Sequence, residues 1–292
     1  MVRPRDAARP LALMLAVVVW SWVWWGVALL LGGSWLEFPN VVFTVLGMLG
    51  PLLVTAGFVA AGVWDAPRST FWRDTFDPRR AAARWYALAL LFAALLAGVP
   101  VVVAALREGI APWQVIEPSG ATAFLVIGAL AGVVEEPAWR AYGQRALQRR
   151  IPVLLAALVV GLFWALWHLP LFLIEGTYQA SLGLGSEGFW TFNLALLAGS
   201  VVYAWLLGRA GGAAVVVVVY HALGNVLREL WSVEGMARTE LLVEVTLALV
   251  LVMLGWRWLR RTGGSRASPT RSSGTGARGS TLSRRRGADG GP

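Results

Sequence analysis

Residues 11–31 read LALMLAVVVWSWVWWGVALLL, an apolar run that contains one serine and no ionisable side chain. A helix needs about 20 apolar residues to cross a hydrocarbon core about 30 Å thick, so this run is long enough to span a bilayer. It follows the basic stretch 1–10 and is too long for a cleaved signal segment. We therefore expect it to form a retained first transmembrane helix.

Similar runs recur along the chain. Hydrophobic residues make up 58% of the 292 positions, charged residues 14%, and the mean hydropathy is +0.65. The runs are continuous rather than alternating, which favours membrane helices over a barrel. The sequence thus predicts an all-α, polytopic transmembrane helical bundle with about eight spans, at 11–33, 39–64, 82–105, 120–138, 152–174, 189–208, 212–231 and 240–259.

The distribution of arginine predicts the orientation of these spans. Arginine-rich segments alternate with arginine-poor ones, and basic loops stay in the cytoplasm. We therefore expect a multi-pass protein of the plasma membrane with cytoplasmic N- and C-termini. The formal charge of +9 is interpreted as a topology signal and a contact with anionic lipid, not as a nucleic-acid surface.

Composition and apolar pattern divide the chain into three parts. Residues 1–117 are expected to hold the first three transmembrane helices, and residues 118–262 the remaining five. Residues 263–292 are rich in Gly, Ser and Arg and are predicted to be a disordered basic tail. The segment 139–150 is less apolar and charged on one side, and it is predicted to be an interfacial amphipathic continuation of the fourth helix. The absence of cysteine excludes disulfides, thiolate metal sites and cysteine nucleophiles.

Polar groups at membrane depth are costly and mark functional sites by default. Here they concentrate in three predicted spans, and both histidines of the chain are among them. The polar residues and their aromatic neighbour are Glu135, Glu136, Arg140, Trp164, His168, His221 and Asn225.

Helical geometry separates the two adjacent glutamates. Positions four apart share a helix face, so Glu136 and Arg140 should pair, with the acid N-terminal to the base. Glu135 points elsewhere and is free to face a cavity as a general base. A plain structural interpretation remains open for each group: a charged cluster that marks the interface, or interhelical hydrogen bonds made by the histidines and Asn225.

Considered together, these groups favour a catalytic site over a purely structural role. A carboxylate, two imidazoles and a carboxamide on separate helices can cleave an amide with water. An acid–base pair deprotonates the water and returns the proton to the leaving amine. Donors on another helix stabilise the oxyanion. Helix counting favours a site at intermediate depth that is reached from the cytoplasm.

Three motifs in a fixed order resemble one known family. Glu-Glu-x-x-x-Arg at 135–140, aromatic-x-x-x-His at 164–168 and His-x-x-x-Asn at 221–225 are similar to the motifs of the CPBP intramembrane proteases. This family contains the type II CAAX prenyl endopeptidases and the bacteriocin-processing proteases. The resemblance covers residues 118–230. Trp164 stands where the family usually has Phe.

The resemblance implies a role for each residue. It implies that Glu135 and His168 activate the water, that His221 and Asn225 stabilise the oxyanion, and that Glu136 and Arg140 support them. A metal-free mechanism is favoured, and the alternative is a zinc cofactor that Glu135, His168 and His221 would hold.

The resemblance therefore implies an intramembrane endopeptidase whose partners are the bilayer and a peptide or membrane-anchored protein substrate. The processing that it implies concerns prenylated C-termini, maturation of a secreted peptide, or bacteriocin immunity. Two other classes stay open: a non-catalytic scaffold or immunity protein that binds a partner peptide, and a proton-coupled transporter. The absence of an internal repeat counts against the transporter.

Overall fold

The computed structural model describes residues 4–63, 68–117 and 122–262. The predicted disordered tail 263–292 lies outside these residues. The described chain forms α-helices joined by short turns, with 3₁₀ and π segments between some of them. The helices are α1 (Pro4–Leu31), α2 (Asn40–Met48), α3 (Gly50–Ala60), α4 (Arg68–Phe76), α5 (Ala83–Glu108), α6 (Thr122–Glu136), α7 (Arg145–Leu147), α8 (Val153–His168), α9 (Tyr178–Leu182), α10 (Glu187–Arg209), α11 (Ala214–Leu230) and α12 (Ala237–Leu259).

The predicted all-α membrane fold is confirmed. Six helical segments of the described chain are long and apolar enough to cross a bilayer: Arg9–Leu31, Ala83–Glu108, Thr122–Leu147, Val153–Leu173, Glu187–Arg209 and Ala237–Leu259. The pair α2 and α3, bent by 51°, makes a seventh if it counts as one span. The predicted span 212–231 is a helix of 17 residues, about 25 Å long. The protein is therefore a multi-pass helical bundle, and its described residues contain six or seven clear spans where about eight were expected.

A proline and two glycines shape the bent pair. Pro51 lies in the first turn of α3, where its missing N–H ends the hydrogen bonding of α2. Gly47 and Gly50 let α1 approach closely, since an added Cβ at either would lie 2.3 Å from Trp25 or Ser21. The Ser21 hydroxyl donates to the Gly47 carbonyl at 2.7 Å. Small residues at the contact thus allow the broken span to pack tightly against α1.

One end of the bundle gathers the arginine-rich connections, and we call it the arginine face. It is formed by the start of α5, α8 and α11, the end of α3, α10 and α12, and by α4 and α7. Arg145 donates to the carbonyl of Asp74 at 3.0 Å and also to that of Gly212. The backbone N–H of Val153 donates to the Arg261 carbonyl at 3.1 Å. These bonds tie separate connections into one surface.

The other end, the acidic face, is formed by the end of α1, α5, α8 and α11, the start of α2, α6, α10 and α12, and by α9. The backbone N–H of Trp35 donates to the Glu175 carbonyl at 3.0 Å. Arg238 of α12 donates to Glu187 of α10 at 2.6 Å. The connections of this face therefore also contact one another, and the two faces lie at opposite ends of the helices.

The segment after α6 differs from the sequence expectation. Residues Pro137–Gln144 form a π-helix, and every one of these residues is buried. The segment continues the rod of α6 to Leu147, as was expected for 139–150, but residues 137–144 are covered by protein where an exposed charged side was expected. Pro137 cannot donate a backbone hydrogen bond, and a wider turn follows it. Arg140 in this segment is surrounded by protein groups, so its charge does not require contact with the membrane interface.

Glycines also set the approach of α6 to α11. A Cβ added at Gly132 would lie 2.3 Å from the Val218 carbonyl oxygen, and one at Gly128 would lie 3.0 Å from the Asn225 Cβ. Backbone cannot move away as a flexible side chain can. This contact holds α11 against the half of α6 that precedes Glu135.

We expect Gly132→Ala to destabilise the bundle because the added methyl group would force α6 and α11 apart. Overpacking of this kind costs about 1–3 kcal/mol, and thermal unfolding of the protein in detergent would measure it. The control is Gly57→Ala in α3, where an added Cβ would meet nothing within 4 Å. Equal melting temperatures for the two variants would contradict the proposed tight contact.

Candidate active site

A cavity of about 780 Å³ lies between α6, α8, α10, α11 and α12. The four residues predicted to be catalytic all line it: Glu135, His168, His221 and Asn225. Trp164 lines it as well. The bundle therefore brings together groups that are up to 90 positions apart in the sequence and come from three different helices, as the motif order predicted.

Glu135 lies in the middle of a long helical rod. It is the second-last residue of α6, but the π-helix and α7 continue the rod to Leu147. This continuation places Glu135 near the middle of the candidate span Thr122–Leu147, and His168 at the end of α8 lines the same cavity. The side chain is 8% exposed, and its Oε2 accepts a hydrogen bond from Trp164 Nε1 at 2.7 Å.

His168 is the last residue of α8, and a 3₁₀ turn that contains Pro170 follows it. Its Nδ1 lies 2.8 Å from the Trp164 carbonyl oxygen. A carbonyl only accepts, so Nδ1 carries the proton and Nε2 is the acceptor of the neutral ring. The Trp164 ring is tilted by 58° at 6.0 Å from the His168 ring, rather than stacked on it. Trp167 contacts that ring more closely, edge-on at 4.7 Å.

His221 is oriented by the other glutamate. Its Nδ1 lies 2.8 Å from Glu136 Oε1, and both side chains are nearly or fully buried. An ionised carboxylate only accepts, so Nδ1 carries a proton here too. The rings of Trp164 and Tyr203 meet the imidazole edge-on at 5.4 and 5.8 Å. The ring orientation of His221 is thereby fixed, with Nε2 as its remaining nitrogen.

Glu136 and Arg140 lie together as their spacing predicted. Arg140 Nε is 3.8 Å from Glu136 Oε2, and both side chains are fully buried. The guanidinium packs against two aromatic rings that meet edge-on, 4.6 Å from the centre of Trp164 and 4.3 Å from that of Tyr203. Its Nη2 donates to the Ser200 hydroxyl at 3.2 Å. Aromatic faces thus replace much of the water that a buried cation loses.

Asn225 follows His221 by one helical turn and faces the same cavity. The glycine at position 128 allows it to lie directly against α6. The carboxamide has two N–H donors and carries no charge. It can therefore donate to an anion without the cost of burying a further cation.

A resident zinc ion does not fit the donor geometry. Such an ion needs three or four His, Cys, Asp or Glu donors around one point. Within residues 4–63, 68–117 and 122–262, no three such side chains are grouped closely enough to hold a metal ion. Glu135, His168 and His221 line one cavity without forming a metal site.

Sequence reasoning missed three features of the site. Tyr203 and Ser200 hold Arg140, yet a tyrosine and a serine in an apolar span resemble ordinary packing residues. The third feature is the indole N–H of Trp164, which donates to Glu135; the Phe usual at this place in the motif that the chain resembles has no donor. The unusual Trp in the motif was the available signal.

Comparison with known proteins finds a match over the segment that holds these residues. Residues 117–227 match the family model described as Type II CAAX prenyl endopeptidase Rce1-like. A curated relative named CAAX prenyl protease 2, from Methanococcus maripaludis, is 29% identical over 107 residues. The match covers 36% of this chain and 39% of the relative, so the two align over about two fifths of their lengths. The resemblance predicted from the three motifs is therefore confirmed over the segment that holds the site.

We expect Arg140→Met to be strongly destabilising because it leaves Glu136 buried without its cation. Breaking a buried ion pair costs about 3–5 kcal/mol. Titration of the detergent-solubilised protein with denaturant would measure this loss. Adding Glu136→Gln should restore part of it, because the double variant buries no unpaired charge.

Arg107→Met is the matched control for this experiment. Arg107 lies in the last turn of α5 and is exposed, so its substitution should change the unfolding free energy by less than about 0.5 kcal/mol. A double variant that is no more stable than Arg140→Met would show that Glu136 and Arg140 do not stabilise each other.

Proposed function

We propose that the protein is an intramembrane endopeptidase that hydrolyses a peptide bond in a membrane-associated peptide or protein. The proposal includes CAAX-type and bacteriocin-type processing. The observation that carries it is the arrangement around Trp164. This one residue contacts Glu135 through its indole N–H, His168 through its carbonyl and His221 through its ring, all at the wall of one cavity.

Water activation is assigned to Glu135 and His168. The Glu135 carboxylate and His168 Nε2 are both acceptors, so either can take a proton from a water molecule between them. The water oxygen then bonds to the scissile carbonyl carbon. The proton passes to the leaving nitrogen as the C–N bond breaks, which yields a carboxylate and an amine.

Oxyanion stabilisation is assigned to the α11 side of the cavity. The Asn225 amide donates without a change of charge, and His221 Nε2 donates when the ring is doubly protonated. Donors preset in a poorly solvated site need little reorganisation as negative charge develops on the substrate oxygen. The 2.8 Å contact between His221 and Glu136 supports this assignment because it fixes the imidazole before substrate binds.

Glu136 and Arg140 are assigned positioning roles. They do not reach the cavity wall themselves, but Glu136 holds His221 and Arg140 contacts the Trp164 ring. Their effect on the reaction would pass through those neighbours. The conservative substitution at either should therefore change the rate less than a substitution of Glu135.

For location, we propose a plasma-membrane protein with both termini in the cytoplasm. The arginine-rich connections support this orientation through the preference of basic loops for the cytoplasm. Residues 1–117 and 118–262 would act as the N-terminal helices and the protease core respectively. The partners would be the bilayer and a peptide or membrane-anchored protein.

We expect Glu135→Gln and His168→Ala each to lower peptide cleavage by at least about 100-fold, because general acid–base catalysis contributes about 10²–10⁴. The measurement is mass-spectrometric detection of products from a membrane-tethered peptide library and purified protein in proteoliposomes. Melting temperatures of the variants would show that they are folded.

Glu234→Gln is the control variant. Glu234 is exposed between α11 and α12 and is absent from the cavity wall. The Glu234→Gln protein should therefore cleave the peptide at the rate of the wild type. A different outcome would favour a non-catalytic scaffold or immunity protein. In that case the folded wild-type protein would bind the peptide without yielding products, and Glu135→Gln would bind it equally well.

We expect cleavage to persist after treatment with a zinc chelator such as phenanthroline, because the predicted metal ligands do not form a metal site. The measurement compares initial rates with and without the chelator and after zinc is restored. Loss of activity that zinc alone restores would overturn the metal-free assignment.

A further inference from the structure

The cavity is placed unevenly along the bundle. Its wall uses the first part of α6, α10 and α12 and the last part of α8 and α11, all of which are the parts nearest the acidic face. The connection 175–182 also contributes to the wall, through the turn after α8 and through α9. The mouth of the cavity is therefore at the acidic face.

The opposite end of the cavity is closed by protein. On each helix, one residue of the cavity wall lies furthest from the acidic face. These residues are Glu135 on α6, Trp164 on α8, Tyr203 on α10 and His221 on α11. Beyond them lies the π-helix Pro137–Gln144, whose residues are all buried. Aromatic contacts fill this layer, including that between Trp139 and Trp167 at 6.2 Å. Solutes from the arginine face would have to cross it.

The two faces differ in charge. The described arginine face carries a set of arginines with two aspartates, Asp74 and Asp77: Arg68, Arg73, Arg79, Arg80, Arg84, Arg145, Arg149, Arg150, Arg209, Arg257, Arg260 and Arg261. The acidic face has the reverse balance, with Glu37, Glu108, Glu117, Glu175, Glu187, Glu229, Glu234 and Glu240 against Arg107, Arg228 and Arg238. By the positive-inside rule the arginine face is cytoplasmic.

We infer that the cavity opens to the extracytoplasmic side of the membrane, so that its substrate is a chain segment exposed on that side. The substrate class rests on the proposed peptidase function, whereas the side of opening rests on the charge pattern and the cavity wall. Access from the cytoplasm, which helix counting favoured, would require passage through the buried π-helix.

This placement narrows the chemistry of the substrate. A peptide exported across the membrane, or a protein anchored in the outer leaflet, would present its peptide bond at the mouth between α9 and the start of α12. A prenylated C-terminus that stays in the cytoplasm would meet the arginine face and the closed layer. Of the processing reactions proposed above, the inference therefore favours those whose substrate is on the extracytoplasmic side of the membrane.

Labelling of single cysteines tests the side of opening, because the chain has no cysteine of its own. Ser181→Cys places a thiol on α9 at the cavity mouth, and Ser69→Cys places one on α4 at the arginine face; both serines are exposed. Spheroplasts that express either variant would be treated with a membrane-impermeant maleimide before and after permeabilisation.

We expect Ser181→Cys to react fully in intact spheroplasts and Ser69→Cys to react only after permeabilisation. The reverse pattern would overturn the inference, and so would equal labelling of both before permeabilisation. Both thiols should react in detergent, which shows that each is accessible. Labelling needs no catalysis, so a failure of the peptidase proposal would appear in the cleavage assay and leave this result unchanged.

Cleavage in oriented vesicles tests the substrate part of the inference. Peptide added outside right-side-out vesicles should be cleaved, whereas the same peptide outside inside-out vesicles should not. Cleavage in inside-out vesicles alone would overturn the inference. Absence of cleavage in both, with the expected thiol labelling, would reject the peptidase and retain the orientation.

Discussion

The need to pair a buried cation organises the centre of this protein. Arg140 has no exposed surface, and its charge is balanced by Glu136 at 3.8 Å and covered by the rings of Trp164 and Tyr203. An unpaired charge here would cost several kcal/mol. The π-helix, α8 and α10 must therefore keep their relative positions for the arginine to remain buried. The same arrangement leaves Glu136 free to hold His221 with its second oxygen.

Trp164 converts this packing into a chemical arrangement. Its ring covers the arginine on one side, while its N–H and carbonyl fix Glu135 and His168 towards the cavity. The pair of Glu136 and Arg140 and the cavity residues Glu135 and His168 are thus linked by one residue. A disturbance of the ion pair would reach the cavity through the tryptophan, and no direct contact between Arg140 and a substrate is needed.

Local patterns in the sequence predicted much of this. Apolar runs predicted the helices, the four-residue spacing predicted the pair of Glu136 and Arg140, and the ordered motifs predicted which groups share a cavity. The rest depends on contacts between distant helices. Local hydropathy cannot show that Arg140 is covered by Tyr203, so 139–150 resembled an interfacial segment. Nor can spacing within one helix show that His221 pairs with Glu136, because those residues are 85 positions apart.

The closed layer below the cavity also decides where the transmembrane voltage acts. Water that enters the cavity from its mouth would bring one aqueous phase towards Glu135, so the transmembrane potential would fall mainly across the closed protein layer between Glu135 and the arginine face. A full crossing is worth about 2.3 kcal/mol per elementary charge at 100 mV. Charged groups at the cavity floor would therefore feel a concentrated electric field.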